Sequence, residues 1–201
     1  MPSDVEICNL ALTKLGQQRI LTMLDNVKAA RSLNAIYAME RDSELRAHHW
    51  SFALARATLA ALTAVPTFGY NHAFQLPSDF LRLIQAGDFS PGGNRVIGVV
   101  SDGSDYRIEG PAILTDIPAP LHIRYMRKIT DPTLFDPCFV KAFACRLAME
   151  LAEDLTQVAN KRQLAAAEYK QAIIDAIRAN AIELPPDPLP DGSWALSRLP
   201  G

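Results

Sequence analysis

The chain has 201 residues, 49% of them hydrophobic, and a formal net charge of −2 at pH 7. This length is enough to bury a complete core, and it suits one domain with embellishments better than two independent domains. Basic and acidic side chains are nearly balanced in every segment. This balance disfavours a tight, sequence-specific DNA binder, because such proteins carry a basic stripe.

The sequence indicates neither a membrane span nor a secretory signal. Its longest apolar stretch, residues 52–65, is short for a bilayer and contains Arg56. The N-terminus lacks the basic-then-apolar order of a signal peptide. Cys8, Cys138 and Cys145 form no CxxC and cannot all pair with one another. We therefore expect a soluble protein made in the cytosol, whose cysteines are small core residues.

Two helices are predicted in the first 63 residues. The first begins at a capping box of Ser3 and Glu6 and ends at Gly16, after about thirteen residues. The second begins at Asp25 or Asn26 and turns an apolar stripe toward the core, with a charged face opposite. The stripe is Ala30, Leu33, Tyr37, Arg41 and Leu45, and the charged face is Lys28, Arg31, Glu40, Asp42 and Glu44.

The chain then changes to strand-like patterns. Trp50 and Phe52 are predicted to anchor the helix exit against the core, because buried aromatic rings contribute large contact areas. In residues 66–128 the hydrophobic period becomes two, which indicates a small antiparallel sheet. The alternating runs are Tyr70, His72, Phe74 and Leu76, and Leu121, Ile123 and Tyr125. Residues 96–100 and 106–109 flank an Asp-Gly turn and are predicted to form a hairpin.

Two more helices are predicted after residue 131. Asp136 and Pro137 start the first, because the aspartate caps free amides and proline fits the first helical position. Its apolar stripe is Val140, Phe143, Leu147, Leu151 and Leu155. A second capping box at 160–163 begins the last helix, whose inward face is Leu164, Tyr169, Ala172, Ile173, Ala176 and Ile177. This pair should pack as an antiparallel hairpin and complete a four-helix bundle.

The final segment is rich in proline. Five of the 14 prolines lie between Pro185 and Pro200, which disfavours helix and central strand and favours an extended arm. Its apolar groups would gain from docking in a groove on another chain. The residues predicted for this contact are Pro185, Pro186, Pro188, Trp194, Leu196 and Leu199. The alternative is a disordered tail with an incidental tryptophan.

These elements predict an α+β fold in three parts. They are a four-helix bundle of residues 1–63 and 131–180, an inserted small antiparallel β domain at 64–130, and an extended Pro-rich C-terminal arm at 181–201. The side chains predicted to anchor the core are Trp50, Phe52, Phe74, Phe143 and Leu147.

Several short runs follow this layout in order. They are HHWSFA at 48–53, YNHAFQLPSDFLRL at 70–83, ILTD at 113–116, LHIRY at 121–125, DPTLFDP at 131–137 and LAMELA at 147–152. With these runs the chain resembles the tail tubular protein A family, the head-to-tail adaptors of T7-like short-tailed phages. In that family the tryptophan of the first run is usually followed by asparagine, where this chain has Ser51.

The resemblance implies a structural virion protein without enzymatic activity or cofactor. It implies a ring of about twelve copies, built from heterologous contacts, that sits between the portal protein and a tubular protein B-like tail nozzle. The helical bundle would contact neighbouring copies and the portal, and the β domain would point toward the tail. The arm would bind the portal or an adjacent copy. DNA would pass through the ring as transient cargo, and no membrane would be involved.

Two other interpretations stay open. The fold could serve as the head-tail connector of a long-tailed phage or of a gene-transfer particle. A more distant alternative is a hydrolase that uses His48 or His49 with Asp79, although no nucleophile is placed beside them. Adjacent histidines on a helix diverge, which disfavours a shared metal ion. Glu150 and Asp154 are interpreted as a solvated helix face rather than as glycosidase carboxylates.

Overall fold

The computed structural model describes residues 2–87 and 106–183 and has a mixed α+β fold. The helices of this part are α1 (Asp4–Leu15), α2 (Lys28–Ala47), α3 (Pro137–Thr156) and α4 (Ala159–Glu183). The strands are β1 (Leu54–Leu59), β2 (His72–Gln75), β3 (Phe80–Ala86), β4 (Tyr106–Glu109), β5 (Ala112–Thr115) and β6 (Leu121–Arg127). Short 3-10 turns at Ser51–Ala53 and Pro132–Leu134 connect the strands to α2 and α3.

The described strands are antiparallel, as the period-two pattern predicts, but they form two small sheets where one was predicted. The first sheet has the order β1-β6-β3, and the second has the order β2-β5-β4. β1 lies within residues 1–63, which were predicted to be helical apart from the aromatic anchor. Its sequence, which contains two alanines, carries little strand signal by itself. All six residues of β1 pair with β6, from Leu54 with Met126 to Leu59 with Leu121, and this pairing determines the structure of β1.

The described residues contain a hairpin that was not predicted. β4 pairs with β5 across a turn at Gly110, whose φ of 56° is a left-handed conformation that glycine adopts without strain. The β4 residues were predicted to pair with residues 96–100, which lie outside the described part of the chain. The observed turn follows β4, and the predicted pairing with the residues that precede β4 stays a prediction.

α3 is the central helix. It packs against α1, α2 and α4, whereas α1 and α2 share few contacts with each other. Glu153 pairs with Arg162 at 2.9 Å, and the guanidinium of Arg146 lies 5.6 Å from the ring centroid of Tyr169. The contact earlier in α3, at residue 146, is made with the later residue of α4, at 169, so the two helices run antiparallel.

Two of the predicted helix starts are confirmed. In the capping box of α1, the amide of Glu6 donates to Ser3 Oγ at 3.2 Å and the amide of Ser3 donates to a Glu6 carboxylate oxygen at 2.8 Å. Gly16 ends this helix with a φ of 69°. The carboxylate of Asp136 accepts from the amides of Cys138 and Phe139 at the start of α3.

Two other predicted helix starts are wrong. α2 begins after Val27, which makes no side-chain cap. Asp25 instead accepts from the amides of Leu21 and Thr22, so its carboxylate closes the preceding turn. α4 begins at Ala159, which places the predicted box at 160–163 inside the helix. Of its predicted inward face, Ala172, Ile173 and Ala176 are buried, but Leu164 is 63% exposed.

In the described part of the chain, the buried hydrophobic side chains form two clusters. The larger lies among the helices and contains Trp50, Phe143 and Leu147, with Phe52 packed at its margin. Its cysteines Cys8 and Cys145 are buried as predicted, and burial raises the pKa of Cys8 to about 12. The smaller cluster lies between the two sheets; its members include Phe74, Ile113, Leu121, Ile123 and Tyr125. The stripe predicted on α2 is buried in full.

Replacing Trp50 by alanine tests the larger cluster. The ring is 1% exposed, its indole N–H donates to the carbonyl of Glu44 at 3.0 Å, and it meets Phe139 edge-on at 5.1 Å. We expect Trp50→Ala to lower the free energy of unfolding by about 3–5 kcal/mol, measured by denaturant titration. Phe68→Ala is the control, since this ring is 87% exposed and its loss should change stability by less than about 0.5 kcal/mol. Equal effects of the two changes would contradict the assigned core.

Candidate functional site

The residues proposed for the distant hydrolase alternative have separate partners. The hydroxyl of Tyr125 donates to Asp79 at 2.9 Å, and the His48 ring lies edge-on against Trp50 at 5.7 Å. Burial, with Arg82 nearby, lowers the pKa of His48. No group of three or more His, Cys, Asp or Glu side chains in the described residues is placed to hold a metal ion. None of the helices described is long and apolar enough to span a bilayer.

The carboxylates near the end of α3 join helices to one another. Asp154 pairs with Lys28 at 2.7 Å and accepts from the hydroxyl of Ser32 at 2.7 Å, and these bonds lower the pKa of Asp154. Glu150 pairs with Arg146 at 3.1 Å. Asp154 thereby ties the start of α2 to the end of α3. The partner of Glu150, Arg146, also binds two carboxylates of α2.

The cluster of buried charges around Arg146 corrects the predicted charged face of α2. Glu40 and Glu44 were expected to face solvent, but they are 8% and 4% exposed. Arg146 on α3 binds Glu40 at 2.9 Å and lies 3.8 Å from Glu44, and the hydroxyl of Tyr169 on α4 donates to Glu44 at 2.6 Å. The four side chains therefore hold α2, α3 and α4 in one register.

The charge of Glu44 is only partly compensated for its burial. Burial raises the pKa of Glu44, and the hydrogen bond from Tyr169 and the charge of Arg146 oppose that shift. Burial and the bond to Glu44 also raise the pKa of Tyr169. Glu44 Oε2 makes no hydrogen bond within the described residues. Sequence patterns did not reveal this cluster, because Arg146 lies about a hundred positions from its partners and the spacing of Glu40 and Glu44 is typical of a solvated face.

A group of exposed apolar side chains lies in the loops at the end of the helices that is farther from the sheets. We call it the distal surface, and its residues are Leu21, Leu24, Val27 and Val158, which are 87%, 87%, 48% and 46% exposed. The α1–α2 connection reaches the α3–α4 turn there, because Lys161 donates to the carbonyl of Leu15 at 2.8 Å and Gln17 donates to that of Leu155 at 3.3 Å.

A second group of exposed apolar side chains lies in the connection between β1 and β2. We call it the sheet-end surface, and its residues are Leu62, Val65 and Phe68, which are 39%, 65% and 87% exposed. β1 leaves the helical core at Leu54 and ends at Leu59 in the sheet core. The first residue of α2, Lys28, pairs with Asp154 at the distal end, and its last residue, Ala47, accepts a hydrogen bond from Arg82 on β3. The 20 residues of this helix separate the two ends by about 30 Å. The two surfaces are thus far apart.

A polar groove of about 330 Å³ lies on the first sheet. Alternate residues of β1 and β6 face the helices. The first cross-strand pair on this face, Leu54 with Met126, is apolar. Farther from the helices the same face becomes polar, and the groove opens there. Its lining is Arg56, Ala57, Thr58, Gln85, Gly87, His122, Ile123 and Arg124.

The predicted arm lies largely outside the described residues. This holds for all six residues assigned to partner docking, from Pro185 to Leu199. The first three residues of the predicted arm, 181–183, belong to α4. The hydroxyl of Ser51 donates to Glu183 at 3.0 Å, and Asn180 accepts from the Ser51 amide at 2.7 Å. The last turns of α4 are therefore attached to the segment between α2 and β1.

No protein-family model matches this chain, and no curated protein matches it either. Within residues 2–87 and 106–183, we single out two separate apolar surfaces and a polar groove, on a body whose helices are joined by buried charges.

Removing the central cation of the buried cluster should destabilise the fold. Arg146→Met leaves Glu40 and Glu44 without their compensating charge. We expect a loss of about 3 kcal/mol in the free energy of unfolding, at the lower end of the range for such losses because Arg146 is 26% exposed. The control is Arg162→Met, which breaks an exposed pair with Glu153 and should cost less than about 1 kcal/mol. Similar losses in thermal or urea unfolding would contradict the assignment.

Proposed function

We propose that this protein is a structural component of a phage particle, a head-to-tail adaptor that forms a ring between the portal protein and the tail nozzle. The observation that carries the proposal is the pair of exposed apolar surfaces at two ends of one subunit. Exposed apolar side chains gain free energy from burial against a partner, and an adaptor needs two such surfaces because its two partners differ.

We assign the distal surface to the portal and the sheet-end surface to the nozzle. The four helices would act as one bundle that contacts neighbouring copies, and residues 184–201 would add contacts to the portal or to the next copy. A ring of about twelve copies needs heterologous contacts, which the mixed-charge sides of the subunit permit. The proposal includes no enzymatic step and no cofactor.

DNA enters this proposal only as cargo. The formal net charge of −2 comes from a balanced distribution of acids and bases, so a ring of these subunits would carry no large excess of positive charge. Fixed cations that neutralise phosphates create a salt-sensitive attraction. A nearly neutral ring therefore suits the passage of DNA better than its retention. An adaptor of this kind would be located in the virion.

The deciding experiment mixes the purified full-length chain with the portal protein of the same particle and images the mixture by cryo-electron microscopy. We expect a monomer when the chain is alone and a closed ring when the portal is present. A ring that binds a nozzle protein would support the short-tailed adaptor. A ring that binds another tail protein would support the long-tailed connector. Absence of any complex, at low and at physiological salt, would contradict both.

Surface variants test which end binds which partner. Leu21→Ser with Leu24→Ser should weaken portal binding by about tenfold or more, because the loss of two exposed anchors removes over 1.4 kcal/mol. Phe68→Ser should weaken nozzle binding and leave portal binding unchanged. Met39→Ser is the matched control, since this side chain is 64% exposed on α2 outside both surfaces. Affinities come from interferometry, and equal effects of all variants would contradict the assignment.

Truncation after Glu183 tests the proposed arm. Glu183 is the last residue of α4 and binds Ser51, so the cut leaves the described contacts intact. We expect the melting temperature to stay within about 2 °C while the portal affinity falls, because only the Pro-rich residues are removed. Unchanged portal affinity would remove the arm from the proposal and leave the two apolar surfaces in it.

A further inference from the structure

The first sheet places two arginines directly opposite each other. Arg56 on β1 and Arg124 on β6 are cross-strand partners, and Arg124 is in turn opposite Gln85 on β3. Like charges at opposed positions of neighbouring strands repel, and sheets usually separate them or insert an acid between them. Among the described residues, those that line the groove include no aspartate or glutamate. The repulsion therefore has no compensating charge within the lining.

The groove also has more hydrogen-bond donors than acceptors. Arg124 donates to Oε1 of Gln85 at 3.4 Å, which leaves the Gln85 amide nitrogen without a partner in the described residues, although the side chain is only 8% exposed. Reversing this amide would place two donors against each other, so the chemistry of Arg124 favours the observed orientation. Arg124 Nε is buried and lacks an acceptor among these residues too. Buried donors without acceptors are rare in folded proteins.

A bound oxyanion would satisfy all of these groups together. Its oxygens would accept from the Gln85 amide and from the two guanidinium groups, and its charge would offset the Arg56–Arg124 repulsion. Arginine presents a planar fork of donors that matches phosphate geometry, and the Thr58 hydroxyl lines the same groove as a further donor. The volume of about 330 Å³ is at the small end of ligand sites, which suits one phosphate group with its substituent.

We propose that this groove is a binding site for a single phosphate group, held by Arg56, Arg124 and Gln85. The inference is independent of the adaptor role, because it concerns donors on the sheet and neither apolar surface. The phosphate could belong to free phosphate, to a nucleoside monophosphate or to a nucleic-acid strand. The shared chemistry is a tetrahedral oxyanion, and the titration distinguishes these sources.

The test is an NMR titration of the ¹⁵N-labelled full-length chain. The probes are inorganic phosphate, a nucleoside 5′-monophosphate and a short single-stranded DNA, each against sodium chloride of equal ionic strength. We expect saturable shifts of the Arg124 Nε–H and Gln85 side-chain amide resonances with at least one phosphate probe and not with chloride. Shifts with DNA alone would identify a nucleic-acid phosphate, and shifts with inorganic phosphate would identify a small-ligand site.

Arg56→Gln is the informative variant, because Arg56 is exposed and its replacement should not disturb the core. We expect it to weaken phosphate binding about tenfold and to raise the melting temperature of the ligand-free protein slightly, since it removes the cross-strand repulsion. Arg107→Gln, at an exposed arginine on β4 of the other sheet, is the matched control and should leave the affinity unchanged.

Three results would overturn the proposal. The first is an absence of saturable shifts with every phosphate probe. The second is an equal loss of affinity in Arg56→Gln and Arg107→Gln, which would indicate general electrostatic attraction. The third is saturation of the groove by acetate or an acidic peptide while phosphate is inert, which would assign it to a carboxylate of a partner protein.

Discussion

The contacts of Phe139 hold the two halves of the fold together. Its ring lies 5.1 Å from Trp50, 5.2 Å from Phe52 and 5.1 Å from Phe135, and 5.9 Å from Phe143 on its own helix. Trp50 and Phe52 belong to the exit from α2 into β1, while Phe135 belongs to the entry from β6 into α3. Both passages between helices and sheet are thus fixed by one group of edge-to-face rings, which add specific geometry to burial.

Because both passages meet at one point, the sheets can extend only to one side of the helices. β1 and β6 leave the aromatic group together as paired strands, and their first pair, Leu54 with Met126, still packs on the helical core. Beyond it the helices no longer cover that face, and the opposed arginines appear there. The groove and the sheet-end surface are both consequences of strands that extend past their helical cover, whereas the distal surface belongs to the loops at the other helix end.

The buried charges set the register of the helices. An apolar stripe permits helices to slide or rotate at a small cost, whereas burying Glu40 and Glu44 is tolerable only where Arg146 and Tyr169 meet them. The same requirement applies to the proposed site, where Nε of Arg124 and the amide nitrogen of Gln85 have no acceptor among the described residues. In the first case the fold supplies the compensating groups, and in the second we assign that role to a ligand.

The sequence by itself determined the features that depend on neighbouring residues. The capping box of Ser3 and Glu6, the left-handed Gly16, the cap at Asp136 and the buried stripe of α2 were all predictable, because each depends on contacts or periodicity within one element. Alternation likewise predicted antiparallel strands in the middle of the chain.

Only the tertiary structure decided which residues meet across elements. Glu44 resembles a surface residue until Arg146 and Tyr169 are placed beside it, and β1 carries too little strand propensity to be recognised before β6 pairs with it. The opposition of Arg56 and Arg124 depends on strand register, which a shift of one residue would abolish. Long-range register and burial are collective properties of the packed chain, and they are the reason why the candidate site emerged from the structure.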